Sequence, residues 1–422
     1  MVLDNKLLED VFNNFLEGPK IFKNRDAIRP DYIPQYLPHR EEQIIRIGHI
    51  LAPVLRGFRG SNLFIYGKTG TGKTAVVKHV LEHLLHKSRE VNSPISISYV
   101  NCRISGTNYR ILADLGADLG IKIPFTGLAT NEVYSRFKTS LDLQKILMIV
   151  VLDEIDTLVK DHGDSILYEL TRINELLKHS RLSIVGISND IMFKEFLDPR
   201  VLSSLSEEEV VFRPYMAPEI RDILLDRTKI TFYDDVLSEG ALNICSALAA
   251  SEHGDARRAL SLLRVAGELV EREGSAKILE VHIRQAQKKI EHDRVTMILR
   301  TLTPHSRLVL CGMFLIKKAK ITTSITGDVY EVYTELCGEI GFEPLTQRRV
   351  SSLISELDIM GVFNARLVSL GRYGRTKKIR LSLTNSTIIA AYSEDPWLKN
   401  LLKFKPKCLL SKMMNKNAAK TR

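Results

Sequence analysis

An α/β protein is predicted, with a doubly wound parallel sheet, then a helical subdomain, then a winged helix. Three observations predict it. Short apolar runs alternate with helix-period stretches through the first half of the 422-residue chain. From Pro218 to Arg294 the pattern is helical throughout. From 303 to 385 three apolar helices lead into a two-stranded hairpin. The length exceeds what one compact core accommodates. The expected divisions are an α/β domain over 1–217, a helical subdomain over 218–294, a winged helix over 295–393 and a basic tail over 394–422. The composition, 44% apolar and 26% charged, excludes wholesale disorder, collagen and a disulfide scaffold.

Residues 1–60 hold a loop rich in Pro and aromatics, RPDYIPQYLPHR, and a helical pattern, EEQIIRIGHILAPVLRG. The runs Asn62–Tyr66, Ile95–Val100, Ile146–Leu152, Leu182–Ile187 and Glu209–Phe212 are short and apolar, as buried parallel strands are. Between the first two, Val76, Val77, Val80, Leu81, Leu84 and Leu85 recur on one helical face. The stretch from Val100 to Leu147 is longer than one strand and helix need, and TGLATNEVYSRFKTSL within it reads as an additional amphipathic helix. In the last third, HSRLVLCGMFLI and GDVYEVYTELCGEI form two helices, and Thr346–Met360 a third, capped by Thr346 and ended by Gly361. The extended runs Ala365–Leu370 and Lys377–Leu383 flank a glycine turn with an arginine-rich tip, Gly371 to Arg375. No apolar run approaches the roughly 20 residues of a membrane helix. The polar, acidic start is unlike a secretory signal, and the five scattered cysteines suit reduced thiols, so a cytoplasmic protein without a membrane partner or zinc site is expected.

Gly67 to Thr74, GKTGTGKT, matches the phosphate-loop pattern G-x-x-x-x-G-K-[ST] between a predicted strand and a predicted helix. Gly70, Thr71, Gly72, Lys73, Thr74 and Ala75 are the candidates for contact with ATP or ADP. Glycines let successive N–H groups turn inward, the helix start favours phosphate, and Lys73 adds a point charge. Asp153 and Glu154 follow the apolar run IVVL, at the strand end where open parallel sheets bind ligands. Thr74 and Asp153 suit Mg²⁺, and Glu154 suits the attacking water. At the next strand end, Asn189 either bonds that water or the γ-phosphate, or caps the following helix. Phosphoryl transfer depends on electrostatic stabilisation, which makes Arg200, Arg227 and Arg257 candidate nucleotide sensors.

The charge is unevenly placed. Residues 295–422 carry 21 Lys and Arg against 9 Asp and Glu, whereas 1–294 carry 39 against 41. A basic end on a near-neutral body points to a polyanion partner. Helix-turn-helix proteins place the start of the third helix in the major groove, which singles out Gln347, Arg348, Arg349 and Ser352. Arg372, Arg375, Lys377 and Lys378 on the wing suit phosphates or the minor groove.

The series GKTGTGKT, VLDEID, ISND, LDPRVLSSL and GDARRAL, in that order, resembles an AAA+ ATPase, and more narrowly the archaeal origin-recognition and cell-division-control (Orc/Cdc-type) replication initiators. YIPQYLPHREEQI, DPRVLSSL and FRPYMAPEIRDILLDR carry the narrower likeness, which runs from about Arg25 to about Ser393. The resemblance implies an AAA+ sheet, a lid and a winged helix. It makes Asn189 a first sensor, Arg257 a second, and Arg200 the finger completing a neighbour's site, with Tyr215 and Arg227 helping hold the nucleotide and the 32–40 loop near the adenine. The 100–147 excess resembles an initiator-specific DNA-touching insertion, with Arg136 and Lys138 as its candidates. The implied function is ATP-dependent binding of double-stranded origin DNA and recruitment of the replicative helicase, with slow hydrolysis as a switch and other initiator copies or paralogues as possible partners. The alternatives are a DNA-binding transcriptional or replication repressor, and a clamp-loader-like machine.

Overall fold

The computed structural model describes Glu9, Phe12, Asn13, Leu16 and residues 20–409, less Phe125, Ser206, Lys320, Thr322, Thr323, 370–374 and Glu394; of Arg375 it describes the backbone alone. The chain divides into two compact units, Met1–Ala286 and Gln287–Arg422. The division falls within the helix Glu280–Thr301, and so does the boundary expected at 294.

In the first unit, β1 (Leu63–Gly67), β2 (Ile95–Asn101), β3 (Leu147–Asp153), β4 (Arg181–Ser188) and β5 (Glu208–Phe212) form one sheet in the order β2-β3-β4-β1-β5. Every pairing is parallel. β3 is buried along its whole length because both of its faces are covered. Met148, Val150 and Leu152 enter one core, against the helices Asn108–Asp118, Thr130–Gln144 and Ser165–Arg172. Leu147, Ile149 and Val151 enter the other, against Glu41–Leu51 and Lys73–Glu90. Each fully buried aliphatic side chain contributes roughly 1.5–3 kcal/mol, which is why β3 reads as an unbroken apolar run.

The register brings the carboxyl ends of the strands to one rim. Asn101 pairs with Asp153, Tyr66 with Ser188, and Gly67 with Phe212. Helices Ala217–Thr231, Glu239–Ser251 and Ala256–Glu273 follow β5 as a helical subdomain. The segment from Lys20 is tied to it: Lys23 N donates to Thr231 O at 2.7 Å, and the Phe22 and Phe232 rings lie 5.0 Å apart.

The second unit packs the helices Pro304–Lys318, Thr326–Ile340 and Gln347–Ile359 around one core, with an antiparallel sheet of β6 (Ser324–Ile325), β7 (Phe363–Ser369) and β8 (Arg375–Leu381) in the order β6-β8-β7. β7 and β8 start two residues earlier than the sequence pattern suggests, because Phe363 is buried and pairs with Leu381. β6 was not anticipated; two residues carry no periodicity.

The expected basic tail from 394 needs correction. Pro396–Leu401 is a helix, and Leu398, Leu401, Leu402 and Leu409 are buried in this unit's core. The Glu335 carboxylate accepts from the backbone N–H groups of Lys407 and Cys408 at 2.6 and 2.8 Å. Through Leu409 the chain is therefore part of the domain, and six helical residues are too few for a periodic pattern to register. Leu398→Ala is expected to cost about 2–5 kcal/mol of unfolding free energy, the range for an emptied buried leucine site. Denaturant unfolding of the full chain followed through Trp397, the only tryptophan, checks this; an unmoved transition would contradict the packing.

Candidate functional site

The phosphate loop joins β1 to the helix Lys73–Glu90, as its pattern requires. Gly70 and Gly72 have φ of 73° and 90°, a left-handed backbone that glycine adopts without strain. Lys73 is 5% exposed. Its Nζ donates to Gly67 O at 2.7 Å, Lys68 O at 2.8 Å and Asn189 Oδ1 at 2.8 Å. Burial depresses its pKa to about 8, against an upward pull from Asp153, and Arg257 adds to the depression. An ammonium removed from water and met by neutral oxygens is stabilised by an arriving polyphosphate.

Asp153 ends β3 and is 5% exposed. Thr74 Oγ1 donates to its Oδ2 at 2.9 Å, the Tyr99 hydroxyl donates to the same oxygen, and Glu154 N donates to Oδ1 at 2.9 Å. A hydroxyl and a carboxylate held together at the loop form a hard-oxygen donor set, which fits Mg²⁺. Glu154 has φ of 55°, and its carboxylate lies 3.7 Å from Arg103 Nη1. The two possibilities for Asn189 separate here. Asp190 caps the next turn, accepting from Met192 N at 2.9 Å, which leaves the Asn189 amide facing Lys73.

A cavity of about 1230 Å³ opens over this rim. It is lined by Gly70 through Ala75, Asp153, Glu154, Asn189, Tyr215, Arg227 and Arg257, and by the loop Pro30–Pro38. Arg257 sits in the first turn of the helix Ala256–Glu273, whose cap Asp255 accepts from Arg257 N at 2.8 Å. The same helix start meets the phosphate loop, where Ala256 N donates to Gly70 O at 3.2 Å. Arg227 is 7% exposed and donates to Ala27 O at 2.9 Å and Tyr32 O at 2.7 Å. Its guanidinium thus ties down the chain that leads into the loop over the cavity, and Arg227 itself is part of the cavity lining. Arg200 is not in the cavity lining. It is exposed and forks onto Asp198 with two contacts of 3.1 Å.

Three contributors were not singled out from sequence: Arg40, Tyr99 and Arg103. Arg40 reaches Thr71 O at 2.9 Å from the end of the RPDYIPQYLPHR loop. Tyr99 is a polar residue in an otherwise ordinary edge strand, and nothing in its run announces a partner for Asp153.

The predicted extra helix is present as Thr130–Gln144, with Val133, Phe137 and Leu141 packed against the sheet. Arg136 is exposed and paired with Glu132 at 2.8 Å, and Lys138 is half-buried.

In the second unit, Thr346 caps the helix Gln347–Ile359, which presents Gln347, Arg348 and Arg349 to solvent. Arg349 pairs with Glu356 at 3.2 Å, and the half-buried Ser352 hydroxyl donates to Arg348 O at 3.3 Å. The Arg348 guanidinium makes no hydrogen bond or ion pair among the described residues. Of the wing candidates, Lys378 is exposed and pairs across the hairpin with exposed Arg366, and exposed Arg380 lies on the same face. Arg366 and Arg380 were not anticipated, and strand alternation would have found them. Lys377 departs from expectation. Its ammonium turns back to the helix, donating to Ser351 O at 2.8 Å and to the Ser355 hydroxyl, because its strand position faces inward beside Ile379. It braces the wing, while a groove of about 430 Å³ runs between Arg348, Ser352, Thr376 and Lys377. Arg372 lies outside the described residues, and Arg375 is placed only by its backbone at the start of β8.

Residues 56–189 match the AAA domain family, 221–288 the Cdc6 AAA+ ATPase-type lid domain, and 297–391 the CDC6 C-terminal winged helix domain. The chain is 52% identical over 404 residues to an ORC1-type DNA replication protein of Thermococcus onnurineus, covering 95% of this chain and 97% of the relative. It is 53% identical over 385 residues to that of Pyrococcus furiosus, covering 90% and 92%. Among solved structures it resembles the Aeropyrum pernix ORC1 protein in complex with DNA, with a TM-score of 0.79, 45% identity, and coverage of 90% of this chain and 99% of that one.

Proposed function

Because this chain belongs to the ORC1-type family of DNA replication proteins, with its AAA+, lid and winged-helix parts, we propose that it is an ATP-dependent replication initiator that binds duplex DNA at an origin and helps recruit the replicative helicase. The observation that carries this is one chain holding both a polyphosphate pocket built on Lys73 and an exposed cationic helix-and-wing face built on Arg348, Arg366, Lys378 and Arg380.

In the first unit, Lys73 and the loop N–H groups receive the phosphates, and Tyr215 and the Arg227-backed loop close around the rest of the nucleotide. Thr74 and Asp153 would hold Mg²⁺, which when bound neutralises charge on the β- and γ-phosphate oxygens. Glu154 orients a water for attack on the γ-phosphorus and takes up its proton, as the bond from that phosphorus to the β–γ bridging oxygen breaks and ADP leaves. Asn189, which accepts from Lys73, steadies the γ-phosphate in this reading, and Arg257, in the same cavity lining, draws the lid toward it. Arg200, outside its own cavity and exposed, serves a neighbouring copy. We read hydrolysis as slow, a switch between closed and relaxed lid positions rather than a motor stroke. Arg136 and Lys138 add DNA contacts from the additional helix.

In the second unit, Arg348 reads a base edge and Lys378 a phosphate. Arg348→Ala is expected to cost roughly 1–3 kcal/mol on origin DNA and to narrow its advantage over random duplex, whereas Lys378→Ala weakens both equally. Fluorescence anisotropy on matched fragments at fixed salt distinguishes them. If the unmodified chain bound duplex no better than a neutral protein does, the DNA-binding reading would be wrong.

A further inference from the structure

Arg40 is the largest fully buried side chain among the described residues, at 1% exposure. It ends the loop over the cavity and stands one residue before the helix Glu41–Leu51. Its guanidinium donates to three backbone carbonyls: Nε to Thr71 O at 2.9 Å, Nη1 to His39 O at 3.0 Å and Nη2 to Arg213 O at 2.8 Å. It stacks on Tyr215, 3.7 Å from the ring centroid, with Phe212 at 5.6 Å. No carboxylate forms an ion pair with it among the described residues. The acid in its surroundings, Glu219, is occupied by Arg213 at 3.1 Å and Met216 N at 2.8 Å. A buried charge is ordinarily paired, since carbonyl dipoles repay only part of its lost hydration.

We propose that Arg40 is a positioning residue for polyphosphate binding, fastening the Thr71–Gly72 peptide of the phosphate loop to the connector that enters the lid, with the bound phosphates as its missing counter-charge. Drawing on the Thr71 carbonyl polarises that peptide and strengthens Gly72 N–H as a donor to phosphate. The other end of the fork holds Arg213, just past β5. Two residues on, Tyr215 N donates to Gly254 O at 3.4 Å, and Ala256 N returns to Gly70 O at 3.2 Å. Loop, connector and lid helix therefore form a closed circuit through Arg40, and a shift of the lid is felt at the peptide adjoining Lys73. The idea rests on the nucleotide-site reading above and adds to it a charge outside the phosphate-loop motif.

The test uses the full chain with Arg40→Gln and Arg40→Lys, a fluorescent ADP titration, competition by adenosine, and thermal unfolding with and without ADP. Arg40→Gln is expected to weaken ADP binding roughly ten- to hundredfold, the worth of a charge-assisted contact, while adenosine competition stays within about twofold. Its nucleotide-free melting temperature stays or rises, because an unpaired buried cation has gone, and the upward shift on adding ADP shrinks. Arg40→Lys retains charge without the three-way fork and falls between wild type and Gln. Wild-type ADP affinity in either variant overturns the proposal. So does a parallel loss of ADP and adenosine with a lowered nucleotide-free melting point, which marks a purely structural arginine. Should the Gln variant not fold, the Lys variant decides by the same ADP-to-adenosine comparison. Failure of the unmodified chain to bind ADP would instead sink the nucleotide reading itself.

Discussion

Lys73→Ala is expected to weaken ATP and ADP binding by about 2–5 kcal/mol, or roughly 30- to 4,000-fold, the range for removing one member of a buried charged contact. The side chain is 5% exposed, and its ammonium sits among Gly67 O, Lys68 O and Asn189 Oδ1. None of the three is a carboxylate, so the ammonium is held in place without being neutralised. Alanine removes the cation and leaves the Asn189 oxygen without its donor. Isothermal titration with ADP measures the loss. An affinity within threefold of wild type would mean that the phosphates lie elsewhere. The folded state need not suffer, since burial already opposes this charge in the absence of nucleotide.

Glu154→Gln should leave nucleotide affinity nearly intact and lower ATP turnover by roughly 10²–10⁴-fold, the usual contribution of a general base. The amide matches the carboxylate in shape, and the left-handed backbone at this position, φ 55°, is unchanged by the swap. It cannot accept the water's proton. It also ends the ion pair with Arg103, which is weak at 3.7 Å and exposed on the arginine side. Single-turnover phosphate release beside ADP titration separates the two effects. Equal turnover in both proteins would remove Glu154 from the chemistry.

Much of this was readable in advance, for physical reasons. Parallel strands covered on both faces are largely apolar, so each strand of the five-stranded sheet lies within one residue of its predicted run. The phosphate loop was legible because its chemistry is local: glycine φ values, a helix start and one lysine, all within eight residues. Long-range partnerships were not. The link between Tyr99 and Asp153 depends on which strands become neighbours. Arg40 looks like any surface arginine until its helix packs beneath β5. Strand parity decides that Lys377 faces the helix while Lys378 faces water, and the pattern suggested both as DNA contacts. Arg227 was placed on the nucleotide by resemblance, and its hydrogen bonds go to the loop carbonyls of Ala27 and Tyr32. Asn189 was ambiguous because an amide suits a cap as well as a ligand, and the neighbouring Asp190 takes the capping role.

The bond from Ala256 N to Gly70 O joins main chain to main chain. Nineteen of the twenty encoded residues supply that donor equally well, so the join would pass unnoticed through an alanine scan and would leave no mark on which residue occupies the position. Proline alone deletes it. Position 256 is the first of its helix, where proline's ring is welcome, and Asp255 before it already has the extended backbone that a following proline demands, φ −86° and ψ 105°. Yet the proline Cδ would stand where the amide hydrogen now points, well inside contact distance of Gly70 O, so the swap would delete the join and also press the loop away from the lid helix.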